Sequence, residues 1–177
     1  MRATQLGLSN KQMKPKRILT YLVPKQILDE SLKYLHNYGK NRMEGYMCWG
    51  GAILKNSNAI IRNCIYPKPS ELSSHGFLHA GVGLSAVFEI GEQVYEKREF
   101  LLAQLHTHAF EAFHSSIDNN FPISHKAGFI SIVVPFFATK RFYNNRTLVN
   151  CSVNEYLGFG KWRELSRGEL RKRFKVI

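Results

Sequence analysis

Apolar and polar positions along the chain switch repeatedly between a strand-like and a helix-like period. Residues 17–23 (RILTYLV) concentrate β-branched and aromatic side chains and predict a short strand. Pro24 suits the first turn of a helix, and Leu28, Leu32 and Leu35 recur at i, i+4, i+7, so a helix is expected through residue 38 with Gly39 as its stop. Residues 44–54 (EGYMCWGGAIL) and 58–66 (NAIIRNCIY) read as two strands joined by the turn chemistry of KNSN. Residues 67–84 are rich in Pro, Ser, Gly and His and read as a loop. Ser85 is placed to cap a helix reaching about residue 98, with Val87, Ile90 and Val94 inward, although Gly91 weakens it by about 1 kcal/mol relative to alanine. The continuous apolar run 100–107 (FLLAQLHT) predicts a buried strand. A loop and a short helix around 115–121, ended near Pro122, should lead to a second buried strand at 129–136 (FISIVVPF). Residues 153–160 suit a last strand, and Ser166 with Glu169 forms a capping box that opens a C-terminal basic helix.

This order of elements predicts an α/β domain, a mixed sheet between helices. A chain of 177 residues has room for one such domain with short arms. The expected division is a flexible basic arm over 1–16 and a single domain over 17–177.

Charge changes the picture at the ends. Of the net +12, residues 1–17 carry five basic and no acidic groups, and residues 161–177 carry seven basic and two acidic groups. Basic ends attract nucleic acid or acidic protein partners. No RNP, KH or zinc-finger pattern is present, so nucleic acid is not expected as a partner. No apolar run approaches the roughly 20 residues of a membrane span, and the N-terminus lacks the apolar stretch of a signal peptide. Cys48, Cys64 and Cys151 form no CxxC pair and read as buried thiols of a reduced protein. A cytoplasmic location is the expectation.

The chemistry concentrates in 104–118, QLHTHAFEAFHSSID. His106 and His108 sit at i, i+2 on the end of a strand, so both imidazoles face the same side. That spacing lets two neutral nitrogens reach one metal ion at about 2.0–2.1 Å. Asp118, ten residues on at a helix start, can fold back as an oxygen ligand. Three protein ligands leave a fourth position for water, the signature of a catalytic zinc site. The alternative is a pair of strand-end histidines with Asp118 only completing a cap. Other HxH sites fit less well: position 110 is Phe where a metallo-β-lactamase-like HxHxD needs Asp, Glu111 follows His108 too closely for a cupin, and the PCxxC of zinc deaminases is absent.

Glu44-Gly45 on an early strand, His106-Thr107-His108, and Ser115-Ser116-Ile117-Asp118 together resemble the JAMM motif of JAB/MPN-domain metalloproteases, whose pattern is Glu, a long gap, His-Ser/Thr-His, and then Ser-x-x-Asp. The segments 125–138 (HKAGFISIVVPFFA) and 160–174 (GKWRELSRGELRKRF) are similar to bacterial JAB proteins encoded beside E1- and E2-like enzymes in antiphage systems, and the resemblance spans roughly residues 18–175. It departs from the pattern in two places: six residues separate His108 from Ser115 where seven are common, and Ala109 stands where Pro is usual. Choosing Ser116 restores seven but puts Ser-x-x on Asn119, so Ser115 is preferred.

The resemblance implies a curved mixed sheet flanked by helices, related to the cytidine-deaminase fold, with the site at strand ends. It implies Zn2+ on His106, His108 and Asp118, with Glu44 as the proton carrier and Ser115 as the oxyanion donor. The implied substrate is a ubiquitin-like protein or its conjugate, with E1/E2-like enzymes as further partners and no membrane. A peptidase acting on a sulfur-carrier protein is the near alternative, and a non-catalytic MPN-type scaffold is the rival class. His114 beside the motif, and His75 and His79 in the preceding loop, are further histidines with no assigned role.

Overall fold

The computed structural model describes residues 18–67, 84–115, 118 and 123–177. In chain order these form β1 (Thr20–Val23), α1 (Lys25–Gly39), β2 (Tyr46–Ile53), β3 (Asn58–Ile65), α2 (Leu84–Glu96), β4 (Phe100–Thr107), β5 (Ile130–Val134), β6 (Ser152–Gly158), β7 (Lys161–Glu164), α3 (Arg167–Arg173) and β8 (Phe174–Val176). The strands make one eight-stranded mixed sheet in the order β7-β6-β5-β4-β2-β3-β1-β8. Pairing is parallel for β4/β5, β1/β3 and β1/β8 and antiparallel elsewhere. The fold is α/β, as the element order predicts.

Two apolar clusters cover opposite faces of this sheet. On one, Ile27, Leu28 and Leu35 of α1 join Met47, Trp49, Leu105 and Ile132 in the main core. The one polar atom of Trp49 stays satisfied there, because its Nε1 donates to Ser31 Oγ at 2.9 Å. On the other face Ile90 of α2 packs with Tyr46, Cys48 and Ile65, and Val94 lies against them. Period 2 in β2 therefore separates Met47 and Trp49 from Tyr46 and Cys48. β2 bends at Gly50 and Gly51, where its register shifts against both neighbours. A Cβ on Gly51 would lie 2.1 Å from Ile60 O, so no larger residue fits there.

A left-handed turn follows β5. Phe136, Phe137 and Ala138 have φ of 53°, 51° and 55°, a region that costs non-glycine residues energy. The turn is held from both sides. Phe136 N and Phe137 N donate to Phe110 O and His108 O at 2.9 Å, and Phe137 O would sit 2.4 Å from a Cβ on Gly39. Gly39 thus ends α1 and also admits this turn.

Some expectations shift at the boundaries. Helix α2 begins one residue before Ser85, which lies inside its first turn rather than capping it, and the buried residues are Ala86 and Ile90. The strand expected over 153–160 ends at Gly158. Gly158, Phe159 and Gly160, all with positive φ, reverse the chain into β7. The capping box forms, Ser166 Oγ accepting from Glu169 N, but the helix ends at Arg173 and the chain finishes as a strand, so Lys175 lies on β8. Arg167, Arg171 and Lys172 are exposed, whereas Arg173 is buried. The 67–84 loop lies almost wholly outside the described residues, as does most of the 115–121 helix, of which Asp118 is described and helical. No helix among the described residues is long and apolar enough to cross a membrane.

Burial of Arg173 has a partner. Its Nη2 meets Glu155 Oε1 at 2.9 Å and donates to Ile18 O at 3.1 Å, while Arg163 Nη2 meets Glu155 Oε2 at 3.0 Å. Glu155, 1% exposed, therefore joins α3 and the hairpin strand β7 to the middle of β6. Replacing it by alanine leaves a buried guanidinium uncompensated. Glu155→Ala should lose about 3–5 kcal/mol of folding stability, read as a fall in the urea midpoint. A loss within about 0.5 kcal/mol, the level of an ordinary surface substitution, would show that water reaches Arg173.

Candidate metal centre

β4 lies inside the sheet, with His106 paired to Tyr46 of β2 on one side and to Val133 of β5 on the other. His108 is one residue past the strand, held by its N–H to Val134 O at 3.0 Å. The two imidazole rings stand 5.1 Å apart, with His106 only 4% exposed. Asp118 comes to them through its own turn. Ser115 N donates to Asp118 Oδ2 at 2.7 Å and Asp118 N donates to Ser115 Oγ at 3.2 Å, a reciprocal pair of capping-box type. This leaves Asp118 Oδ1 3.1 Å from His106 Nε2, and Oδ2 3.8 Å from His108 Nε2. One ligand atom from each of the three lies within 4.8 Å of the others.

The donor set fits a divalent metal. His106 Nε2 is buried and makes no well-formed hydrogen bond, although Asp118 Oδ1 is close. A buried polar atom left in that state calls for an explanation, and a cation between the rings and the carboxylate provides one. Burial opposes the charge on Asp118, but the neighbouring His106 and the Ser115 hydroxyl and amide hold its carboxyl well below the usual carboxylate range. The group is therefore an anion, as a metal ligand must be. Two imidazoles and one carboxylate are a donor set that suits zinc and its first-row neighbours.

A buried polar chain runs beneath the cluster on the same face. Gln104, two residues before His106, accepts from Tyr46 OH at 3.3 Å and from Ile123 N at 3.4 Å, and donates to Ser131 Oγ at 3.1 Å. It ties the far end of the β4–β5 connection, at Ile123, back onto β4. Burial, with smaller effects from Cys48 and Asp118, pushes the Tyr46 phenol well above its ordinary value, so it stays a donor.

The remaining sequence candidates fall as follows. Glu44 lies just before β2 rather than on it, half-buried, two residues ahead of the Tyr46–His106 rung. His114 packs its ring 4.6 Å from that of Trp162 on β7, and Phe113 stands edge-on to His108 at 4.9 Å. Ser116, His75 and His79 lie outside the described residues. Among the described residues the cysteines are free thiols, as expected, although only Cys48 is buried and Cys64 and Cys151 are partly exposed; burial pushes them up, to about 12 for Cys48 and Cys151 and about 11 for Cys64. They are not thiolate nucleophiles at neutral pH. Two residues escaped the sequence reading, Gln104 and Thr107. Their polarity inside an apolar run was the available signal.

The chain is similar to a probable metalloprotease. That protein, y4jG of Sinorhizobium fredii, is 24% identical over 125 residues, which is 71% of this chain and 76% of its own. The likeness supports a metalloprotease function in general terms. The solution structure of protein DSY2949 from Desulfitobacterium hafniense superposes with a TM-score of 0.62 at 11% identity, covering 89% of this chain and 93% of that one, and shows a shared fold. No protein-family model matches the chain.

A metal that binds only the folded protein must stabilise it. At 100 times its Kd the gain should be about 2.7 kcal/mol, visible as a rise in melting temperature. His106→Ala and Asp118→Ala should abolish the rise. An equal rise in both variants would place the metal elsewhere.

Proposed function

We propose that this protein is a JAMM-type zinc isopeptidase or peptidase that cuts after the C-terminal tail of a ubiquitin-like protein. The observation that carries the reading is the convergence of His106, His108 and Asp118 within 4.8 Å. The order Glu, His-Thr-His, Ser-x-x-Asp along the chain and the similarity to a probable metalloprotease support it.

His106 Nε2, His108 Nε2 and an Asp118 oxygen would hold the zinc, which supplies Lewis-acid polarisation of the scissile carbonyl and acidifies water. Glu44, arriving at the same strand end, takes the proton of the attacking water and delivers it to the leaving amine. Ser115 Oγ accepts from Asp118 N, and its one hydroxyl hydrogen, directed at the Asp118 carboxylate in this structure, would turn to donate to the developing oxyanion.

An extended tail adds most readily to an unpaired strand edge. β4 is paired on both sides, so it offers none. The sheet ends at β7 and β8, and β7 carries the Trp162 that packs on His114, next to Ser115. A tail lying along β7 would have the site loop beside it. The partners of this reading are the ubiquitin-like protein or its conjugate, with E1- and E2-like enzymes making the conjugates in a defence setting.

The test is a fusion of a ubiquitin-like protein to a target, incubated with wild-type protein and with Glu44→Gln, and the cut located by intact mass. Cleavage directly after the tail by wild type alone is expected. Ser115→Ala should slow it about 10²-fold, the cost of one oxyanion donor, and Ser116→Ala far less. Equal cleavage of unstructured peptides would indicate a general metallopeptidase, release of a small amine from a sulfur-carrier protein the neighbouring activity, and no cleavage by zinc-loaded protein a binding scaffold.

A further inference from the structure

The strand pair that Glu44 precedes, β2 with β4, does not end as a regular ladder. Tyr46 lies opposite His106, so Gly45 lies opposite Thr107. Residues opposed in this way on a hydrogen-bonded rung exchange both backbone bonds. Half of that exchange is present, Thr107 N donating to Gly45 O at 3.0 Å. The other half is replaced: Gly45 N donates to the Thr107 side chain, Oγ1, at 2.8 Å.

Both partners are fixed in place. Thr107 is fully buried, and a Cβ on Gly45 would meet Leu35 Cδ2 at 3.1 Å and Tyr38 Cβ at 3.3 Å. Gly45 is therefore pressed between α1 and the Thr107 hydroxyl. By alternation along β4, His106 and the cluster it belongs to lie on the opposite face from Thr107. The hydroxyl keeps a buried N–H satisfied at the point where β2 leaves β4. It does so one residue from the proposed base and between the two proposed ligands.

We infer that Thr107 is a positioning residue for Glu44: its hydroxyl, by holding Gly45 N–H, sets where the Glu44 carboxylate stands relative to the cluster. This rests on the reading of Glu44 as the proton carrier. Thr107→Val keeps the branched shape and removes the acceptor, and Thr107→Ser keeps the acceptor. A displaced base costs rate, and a shift of about 1 Å is worth about 10²-fold.

Three readouts separate the possibilities, measured on zinc-loaded full-length protein: metal content, exchange of the Gly45 amide followed by NMR, and kcat against KM on the fusion substrate. Thr107→Val should keep one metal per chain, expose the Gly45 amide to fast exchange and lower kcat about 10²-fold with little change in KM. Thr107→Ser should restore amide protection and most of kcat. Wild-type kcat in Thr107→Val, with Glu44→Gln inactive, would overturn the positioning role and leave the base assignment standing. Wild-type kcat in Glu44→Gln would overturn both. Loss of metal together with activity in Thr107→Val would make Thr107 a support of the ligands, and slow Gly45 exchange in that variant would show that the hydroxyl does not hold the amide.

Discussion

Antiparallel pairing of β2 with β4 puts Tyr46 opposite His106, and the features of the site depend on that rung. A slip of one residue would turn every side chain of the strand to the other face, taking the histidines into the α1 core. The register is secured from both sides. Met47, Trp49 and Leu105 must face α1, and the twin glycines Gly50 and Gly51 admit the bend that lets β2 follow both neighbours. With β5 parallel on its other side, β4 has no lateral freedom, and His106 inherits its rigidity.

The third ligand has a different origin. Asp118 is helical itself but lies on the connection between β4 and β5, outside the sheet that fixes the histidines. Here three sets of hydrogen bonds compensate: the reciprocal Ser115–Asp118 pair, the grip of Gln104 on Ile123, and the bonds from the left-handed Phe136–Phe137 turn to Phe110 and His108. Strain at Phe136–Ala138 is thus spent beside the cluster, where it fixes the start of the loop.

Much of this was legible in the residues. The strand that ends in His106 and His108 follows from one uninterrupted apolar run, and α1 from its leucine stripe and the terminal Gly39. The Ser166–Glu169 box announced α3. What escaped depends on contacts distant in sequence. Arg173 looked like one more cation of a basic helix, because its partner Glu155 lies 18 positions earlier. β8 has three residues and pairs with β1, far away in sequence, where Phe174 stacks on Tyr21 at 4.8 Å. The role of Thr107 was hidden because a threonine fits any strand, and only the missing backbone half of its rung sets it apart.

The central claim is that His106, His108 and Asp118 hold one metal, and the ligand shell reports on it directly. X-ray absorption at the zinc edge of the metal-loaded protein should show nitrogen and oxygen neighbours at about 2.0–2.1 Å with the outer-shell scattering of two imidazoles. Sulfur at about 2.3 Å, or a shell with no imidazole signature, would contradict it.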